Sequence, residues 1–214
     1  MPWIRPMYLH PAHVSDRVIA KWQRARIVPY LDLPVQHGDD GILRAMRRAV
    51  TARRMKEVVA AFREAIPGLA VRTTVLVGFP GESEAALQNL LEFLDEVRFD
   101  RLGVFTYSPE DGTPSPGFPD QVPAEVAAER AAIVQDLQDR IAWERNQTLV
   151  GAVTDVLVDG PSQDPAFAFE GRTAGQAPEI DGVVYLRGGR FEPGRFARVS
   201  IVEVEGYELV GERA

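Results

Sequence analysis

The chain has 214 residues, a formal net charge of −7 and no cysteine. This length allows one large domain or two small ones with a substantial core. The negative charge disfavours a general nucleic-acid or anionic-membrane surface, and no apolar run reaches the roughly 18 residues that span a bilayer. The sequence does not open with a signal-peptide pattern, so we expect a cytoplasmic protein without a membrane partner. The lack of cysteine excludes disulfides, thiolate zinc sites and thiolate iron–sulfur sites.

Strands and helices alternate through the first half of the sequence. The pattern predicts strands at 3–9, 28–36, 70–77 and 101–107, and helices at 13–25, 41–48, 51–66 and 83–97. Pro29 and Pro34 predict irregular ends for the second strand, and Asp39 or Asp40 can cap the helix that follows. Alternation of this kind is typical of parallel βα units.

The composition changes after Ser108. Five prolines and two glycines between 109 and 123 predict a linker or a wrapped loop, and apolar residues near helical spacing predict a long helix over about 124–149. Five short strands follow at 153–158, 166–173, 183–186, 197–204 and 207–211, a pattern that indicates a small OB-like barrel. We therefore predict an α/β domain over 1–120, a connecting helix over 121–150 and a β-barrel over 151–214.

The most informative stretch covers 71–83, where a β-branched strand ends at Gly78-Phe79-Pro80-Gly81 and a helix begins at once. Such a corner is typical of a parallel sheet, whose ligands bind at the carboxyl ends of the strands. Backbone N–H groups at a helix start suit an anion or a nucleotide, although ordinary tight turns share the pattern. It is not a Walker loop, because no Gly-Lys-Ser/Thr follows.

Polar residues recur at alternate positions of two predicted strands. Strand parity places Asp32 and Gln36 on one face of the second strand, and Arg72 and Thr74 on one face of the third. In a closed barrel these side chains would point into the lumen, where charges persist only when they are paired or bound to a ligand. Two alternatives follow, an Asp32–Arg72 ion pair or a ligand contact.

The histidines and a group of arginines are weaker signals. His10, His13 and His37 lack the further ligands that a metal site needs, so we interpret His10-Pro11 and Gln36-His37 as rim residues of one site. The Asp39–Asp40 pair is interpreted as a helix cap. A solvated helical face is favoured over a phosphate site for the arginines Arg44, Arg47, Arg48, Arg53 and Arg54.

Three longer motifs together resemble the radical S-adenosylmethionine methylthiotransferases. They are Tyr30-Leu-Asp-Leu-Pro-Val-Gln-His37 with the following 43–48, Arg72-Thr-Thr-Val-Leu-Val-Gly-Phe-Pro-Gly-Glu-Ser83, and 99–114. His37 and the runs 171–173 and 177–182 are similar to the RimO branch in particular. That branch adds a methylthio group to the β-carbon of an aspartate in the twelfth small-subunit ribosomal protein. The MiaB-type branch, which modifies transfer RNA, is the nearest alternative.

The resemblance implies a fold and two cofactors. The fold is a partial radical-SAM (TIM-like) parallel barrel followed by a small all-β TRAM (OB-like) barrel that docks the substrate. The pocket for S-adenosylmethionine (SAM) would be lined by Gln36, Arg72 and the corner residues Gly78, Phe79, Pro80, Gly81 and Glu82. The 4Fe–4S clusters of the family are held by cysteines, which this sequence lacks. We therefore expect the carboxyl-terminal half of such an enzyme, not competent alone, with strand 3–9 as an open edge.

The charge of the predicted barrel bears on the partner. Between 151 and 214 there are eleven acidic and six basic residues, which gives −5. An RNA-binding barrel usually needs a positive face, so an acidic one fits a basic ribosomal protein better, and RNA is the less expected partner. A transfer-RNA-modifying relative and a non-catalytic substrate-binding module are the alternative functions.

Overall fold

A computed structural model describes residues 3–24 and 26–214. Within these residues the chain forms two compact units. One comprises 3–5, 26–30 and 139–214, and the other comprises 6–24 and 31–138. The domain boundaries near 120 and 150 stay a prediction. None of the helices described is both long and apolar enough to cross a membrane.

The helices begin where the sequence supplies caps. After a short 3₁₀ turn at Pro11–His13 come α1 (Asp16–Arg24), α2 (Asp40–Ala45), α3 (Ala52–Ala65) and α4 (Glu84–Val97), and a second 3₁₀ turn at Ser115–Gly117 precedes α5 (Ala124–Gln147). The side chains of Asp39, Thr51 and Ser83 accept hydrogen bonds from first-turn amides of α2, α3 and α4. These bonds satisfy amides that a helix start leaves without partners, which explains where the three helices begin.

Three strands form the sheet of the α/β part in the order β1-β2-β3. They are β1 (Tyr30–Asp32), β2 (Ala70–Val77) and β3 (Arg101–Thr106). β2 and β3 are parallel, with Thr74 opposite Gly103, and Gln36 makes an isolated parallel bridge to Val75. Buried and half-buried residues alternate along β2. One face is therefore closed, whereas the face that carries Arg72 and Thr74 is partly open.

The strand predicted at 3–9 is wrong. Among the described residues it forms only an isolated parallel bridge, between Ile4 and Ile27. Pro6 supplies no backbone donor, and Tyr8 has a φ of 60°, which lies outside the extended region. The described residues 3–9 therefore do not form the open strand edge that the sequence predicted. The strand predicted at 28–36 is likewise reduced to Tyr30–Asp32, because prolines flank it on both sides.

The second half folds into a closed barrel, which confirms the predicted small all-β barrel. Its strand order is β4-β5-β6-β8-β7, and the strands are β4 (Val153–Pro161), β5 (Phe169–Arg172), β6 (Val184–Arg187), β7 (Phe196–Glu205) and β8 (Glu208–Arg213). Neighbouring strands are antiparallel except β6 and β8, which are parallel. Closure pairs every edge of the sheet around a core of aliphatic side chains and Phe191.

Candidate functional site

An ion pair lies on the partly open face of the sheet. Arg72 Nη1 lies 3.1 Å from Asp32 Oδ1, and the Asp32 side chain is fully buried. Asp32 Oδ2 accepts the backbone N–H of Tyr8 at 2.9 Å. Of the two alternatives that the sequence left open, the Asp32–Arg72 ion pair is present, and it fixes Arg72 on this face.

Glu82 holds the corner between β2 and α4 from the inside. Its buried carboxylate accepts the N–H of Gly78 at 3.0 Å and Arg130 Nη1 at 2.9 Å. Arg130, on α5, also donates to the Glu82 carbonyl at 2.7 Å and to the Glu84 carboxylate at 2.5 Å. Burial by itself lowers the pKa of Arg130, but the hydrogen bonds to Glu84 and Glu82 raise it above its ordinary value. The Glu82 side chain therefore stabilises the corner and does not face an open surface.

His37 is fully buried, which corrects its predicted place on a rim. Its Nδ1 accepts the backbone N–H of Asp39 at 2.9 Å, so that nitrogen carries no proton. Its Nε2 lies 3.2 Å from Glu82 Oε2 and donates to it. His37 is therefore a neutral imidazole that joins the segment after β1 to the corner after β2.

The backbone of the corner is a rigid turn. Gly78 and Gly81 have φ values of 77° and 85°, a conformation that glycine adopts without steric cost. The N–H of Gly78 donates to the Glu82 carboxylate, that of Gly81 to the Asp120 carbonyl and that of Glu82 to the Phe79 carbonyl, both at 2.9 Å. These three amides are bonded within the chain, so we do not assign to them the anion site that the sequence suggested.

A pocket of about 250 Å³ lies next to the corner. Gln36 and Phe79 line it, together with the apolar side chains of Met46, Leu76 and Phe118. The backbone of Gln36 is held to β2, because its N–H donates to Thr74 and its carbonyl accepts from Leu76. The structure thus places two of the predicted site residues at one pocket. The other predicted site residues do not line this pocket. Arg72 lies in the ion pair with Asp32, and Gly78, Pro80, Gly81 and Glu82 form the corner.

Two further lining residues, Arg47 and Arg48, were not predicted as site residues. The predicted helix end at 48 is wrong, because α2 ends at Ala45 and both arginines follow it. They are therefore not part of a helical face. Arg53 and Arg54 do lie on a helix, α3, where each forms an ion pair with Glu57. The end of α2 could not be predicted, because the left-handed residue that follows it is Arg47 and not the glycine that usually marks a helix end.

The residues present fit one of the two cofactors. The sequence has no cysteine, and no group of three or more His, Asp or Glu that could hold a metal ion occurs among residues 3–24 and 26–214. These residues do not fit an iron–sulfur cluster. The pocket beside the corner combines an aromatic wall, a carboxamide and guanidinium groups, a set that suits a charged ligand with an aromatic base such as SAM.

Two family models match the chain and agree with the fold. The Radical SAM superfamily model matches residues 3–94, and the TRAM domain model matches residues 150–213. Among solved structures, the radical SAM enzyme coproporphyrinogen III oxidase (HemN) from Escherichia coli matches with a TM-score of 0.50 at 14% identity, covering 80% of this chain and 44% of that one. This likeness supports a partial radical-SAM parallel barrel, and the TRAM match agrees with the closed β-barrel.

The curated relatives of the chain share one name among themselves. Ribosomal protein uS12 methylthiotransferase RimO of Geobacter sulfurreducens is 41% identical over 213 residues, which cover 99% of this chain and 48% of the relative. RimO of Anaeromyxobacter sp. (strain K) is 43% identical over 210 residues, covering 98% of this chain and 45% of the relative. The chain thus spans about half the length of these relatives. It is related to the RimO-type radical SAM methylthiotransferases over nearly its whole length and carries a partial radical-SAM barrel followed by a TRAM domain.

Proposed function

We propose that this chain supplies the SAM-binding and substrate-docking part of a RimO-type methylthiotransferase. The activity would add a methylthio group to the β-carbon of an aspartate in ribosomal protein uS12. The observation that carries this proposal is the pocket of Gln36 and Phe79 beside the corner of Gly78–Glu82. These residues follow the ends of neighbouring strands in a partly parallel sheet, the edge at which such sheets bind ligands.

SAM would be held by Gln36 and Phe79, the two predicted site residues that line the pocket, while the Asp32–Arg72 ion pair and the corner of Gly78–Glu82 would position them. When bound, SAM supplies a sulfonium whose carbon–sulfur bonds are activated by the positive charge. Phe79 offers an aromatic wall for the adenine, and Gln36 offers a carboxamide that can donate and accept hydrogen bonds. Glu82 would act by shaping the corner, since its carboxylate is occupied by Gly78 and Arg130.

We also propose that the chain does not cleave SAM reductively by itself. Reductive cleavage requires an electron from a cluster, and thiolates hold that cluster. The sequence contains no cysteine, so the cluster ligands would have to come from another polypeptide segment.

Two measurements on the full chain test these proposals. Calorimetric titration of SAM should show one binding site per chain. After anaerobic treatment with iron and sulfide, addition of dithionite should consume no more SAM than a sample without protein. Absence of saturable SAM binding would contradict the proposed pocket, whereas SAM consumption by the chain alone would contradict the proposed need for another segment.

The charge of the barrel favours a basic protein as the docked partner. Arg172, Arg187 and Arg198 each form an ion pair with a neighbouring carboxylate, so these arginines offer little unbalanced positive charge. Eleven acidic residues against six basic ones leave a negative barrel. Such a surface attracts a basic ribosomal protein and repels the phosphates of RNA.

One feature of the barrel favours transfer RNA as a second candidate. A pocket of about 300 Å³ is lined by Arg190, Arg195 and Arg213 together with Phe196, with one carboxylate, Glu192, paired to Arg195, and arginines beside an aromatic ring suit an unpaired nucleotide. Retention of purified uS12 and of transfer RNA on the immobilised full chain, at physiological salt, separates the candidates. Stronger retention of uS12 supports the first, whereas stronger retention of transfer RNA would overturn the charge argument and support the second.

A further inference from the structure

The run 177–182, which is similar to the RimO branch, lies in the loop between β5 and β6. None of its residues lines the pocket beside the corner. The loop belongs to the same compact unit as the barrel, and this unit also contains the distant segments 3–5 and 26–30. Its contacts within this unit therefore determine what the run can do.

The loop binds the first residue of β1 through a buried carboxylate. The hydroxyl of Tyr30 donates to Asp181 Oδ2, and the two residues are 0% and 3% exposed. The same oxygen accepts the N–H of Ala177 at 2.9 Å. A buried hydrogen bond of this kind is costly to break, because neither group can replace it with a bond to water. Asp181 therefore holds Tyr30 against the loop.

An arginine from the start of the sequence reinforces this contact. Arg5 Nη2 donates to the Ala174 carbonyl at 2.9 Å, and its guanidinium lies 4.7 Å from the centre of the Tyr30 ring, within the range of a cation–π contact. The N–H of Val28 donates to the Ile4 carbonyl at 3.0 Å, so the segments before β1 are also bonded to each other. The loop, Arg5 and Tyr30 thus form one cluster within this unit.

Two residues beyond Tyr30, β1 carries the carboxylate of the ion pair. Asp32 Oδ1 lies 3.1 Å from Arg72 Nη1, and Asp32 Oδ2 accepts the N–H of Tyr8 at 2.9 Å. The Asp32 carbonyl accepts the N–H of Leu9, also at 2.9 Å. Since β1 has only three residues, few backbone dihedrals separate Tyr30 from Asp32. A displacement of Tyr30 is therefore transmitted to Asp32 along the strand.

We propose that Asp181 is a positioning residue for the site at the strand ends. It fixes Tyr30 at one end of β1, and β1 then presents Asp32 to Arg72 in the arrangement that supports the pocket. Its effect on SAM binding rests on the proposed function, whereas its effect on the position of β1 does not. The run 177–182 then acts on the SAM site through β1.

Backbone hydrogen exchange of the full chain tests the position of β1. Tyr30→Phe removes the hydroxyl and keeps the ring. The amides of Tyr8 and Leu9, which are bonded to Asp32, should exchange about tenfold faster in this variant, the usual effect of losing a hydrogen bond to a carboxylate. The amide of Leu76 on β2 donates to a residue outside β1 and should keep its wild-type rate. Such a pattern indicates a local displacement and not a general loss of stability.

Tyr207→Phe is the matched control. The Tyr207 hydroxyl donates to Asp139 at 2.6 Å, so this variant removes another tyrosine–aspartate hydrogen bond from the same unit, one that does not involve β1. It should leave the exchange of Tyr8 and Leu9 unchanged. Asp181→Asn is the conservative variant, since its amide oxygen can still accept from the Tyr30 hydroxyl, and it should accelerate exchange less than Asp181→Ala.

Calorimetric titration of SAM into the same variants measures the consequence for the site. Tyr30→Phe and Asp181→Ala should bind SAM several-fold more weakly than the wild type, because the Asp32–Arg72 pair is displaced. Tyr207→Phe should bind SAM as the wild type does. A change in SAM affinity that follows the exchange of the Asp32 partners is not expected from a side chain that only stabilises the barrel.

Three results would overturn the positioning role. In Tyr30→Phe, the amides of Tyr8 and Leu9 could keep their wild-type rates, or all amides, Leu76 included, could accelerate together. The third is a Tyr30→Phe variant that binds SAM as tightly as the wild type. If the wild type does not bind SAM at all, the proposed function fails, and the exchange rates still decide whether Asp181 positions β1.

Discussion

Gly78 is the position at which the corner can least accept a side chain. A Cβ there would lie 2.4 Å from the Cβ of Ala127 on α5, well under the 3.0 Å that real Cβ contacts keep. Gly78 also has a φ of 77°. Gly78→Ala therefore adds a conformational cost of about 1 kcal/mol or more and an overlap cost of about 1–3 kcal/mol. We expect the free energy of unfolding to fall by about 3 kcal/mol.

Gly81→Ala is the matched control within the same corner. Gly81 has a similar φ of 85°, and nothing lies within 4 Å of the Cβ that alanine would add. This variant therefore has only the conformational cost, about 1 kcal/mol. Urea unfolding followed by far-ultraviolet circular dichroism should place the two variants about 2 kcal/mol apart.

A double variant isolates the overlap with α5. Ala127→Gly removes the Cβ that the new side chain would meet, so combined with Gly78→Ala it should recover about 1–3 kcal/mol relative to the sum of the single changes. Equal destabilisation by Gly78→Ala and Gly81→Ala, or no recovery with Ala127→Gly, would show that a side chain at 78 does not overlap with Ala127.

Three other side chains give separate predictions. Asp32→Asn removes a buried carboxylate from Arg72 and should lower the free energy of unfolding by about 2 kcal/mol, measured with urea; wild-type stability would contradict the ion pair. Arg130→Gln removes a cation from the buried Glu82 and should cost about 3 kcal/mol in the same assay, and an unchanged midpoint would refute its role. Burial raises the pKa of Asp39, but hydrogen bonds from first-turn amides of α2 and a neighbouring amide side chain bring it below the ordinary 3.8. The stability that the ionised Asp39 carboxylate contributes is fully present above pH 3.8, and it is lost as the pH falls through the lower pKa that Asp39 has in the folded state. Asp39→Asn should therefore flatten the acid side of a stability profile, and an unchanged profile would argue against it.

The sequence predicted elements whose signals are local. β2 spans Ala70–Val77 as predicted, because a β-branched run is closed by a glycine that needs a positive φ. Helices α3 and α4 begin one residue after the predicted starts at 51 and 83, and Thr51 and Ser83 cap them. The strand prediction at 3–9 failed because the conformation of this segment depends on a distant residue: the N–H of Tyr8 donates to the side-chain carboxylate of Asp32 instead of to a backbone carbonyl.

In the candidate site, too, features with local sequence signals could be predicted, whereas features set by distant residues could not. Strand parity was enough to bring Asp32 and Arg72 together as one of two alternatives, since both lie on regular strands. The partner of Glu82 could not be predicted, because Arg130 is 48 residues away on another helix. Arg47 was missed because its left-handed conformation depends on where α2 ends, and nothing local in an arginine-rich segment indicates that end.

Calorimetric titration of SAM into the folded full chain measures whether the strand ends of this chain hold SAM. Gln36→Asn is the informative variant, because asparagine tolerates the φ of 73° at this position and only shortens the carboxamide. We predict one SAM per wild-type chain and several-fold weaker binding to the variant. A folded wild-type chain that gives no saturable heat with SAM would contradict SAM binding at the strand ends.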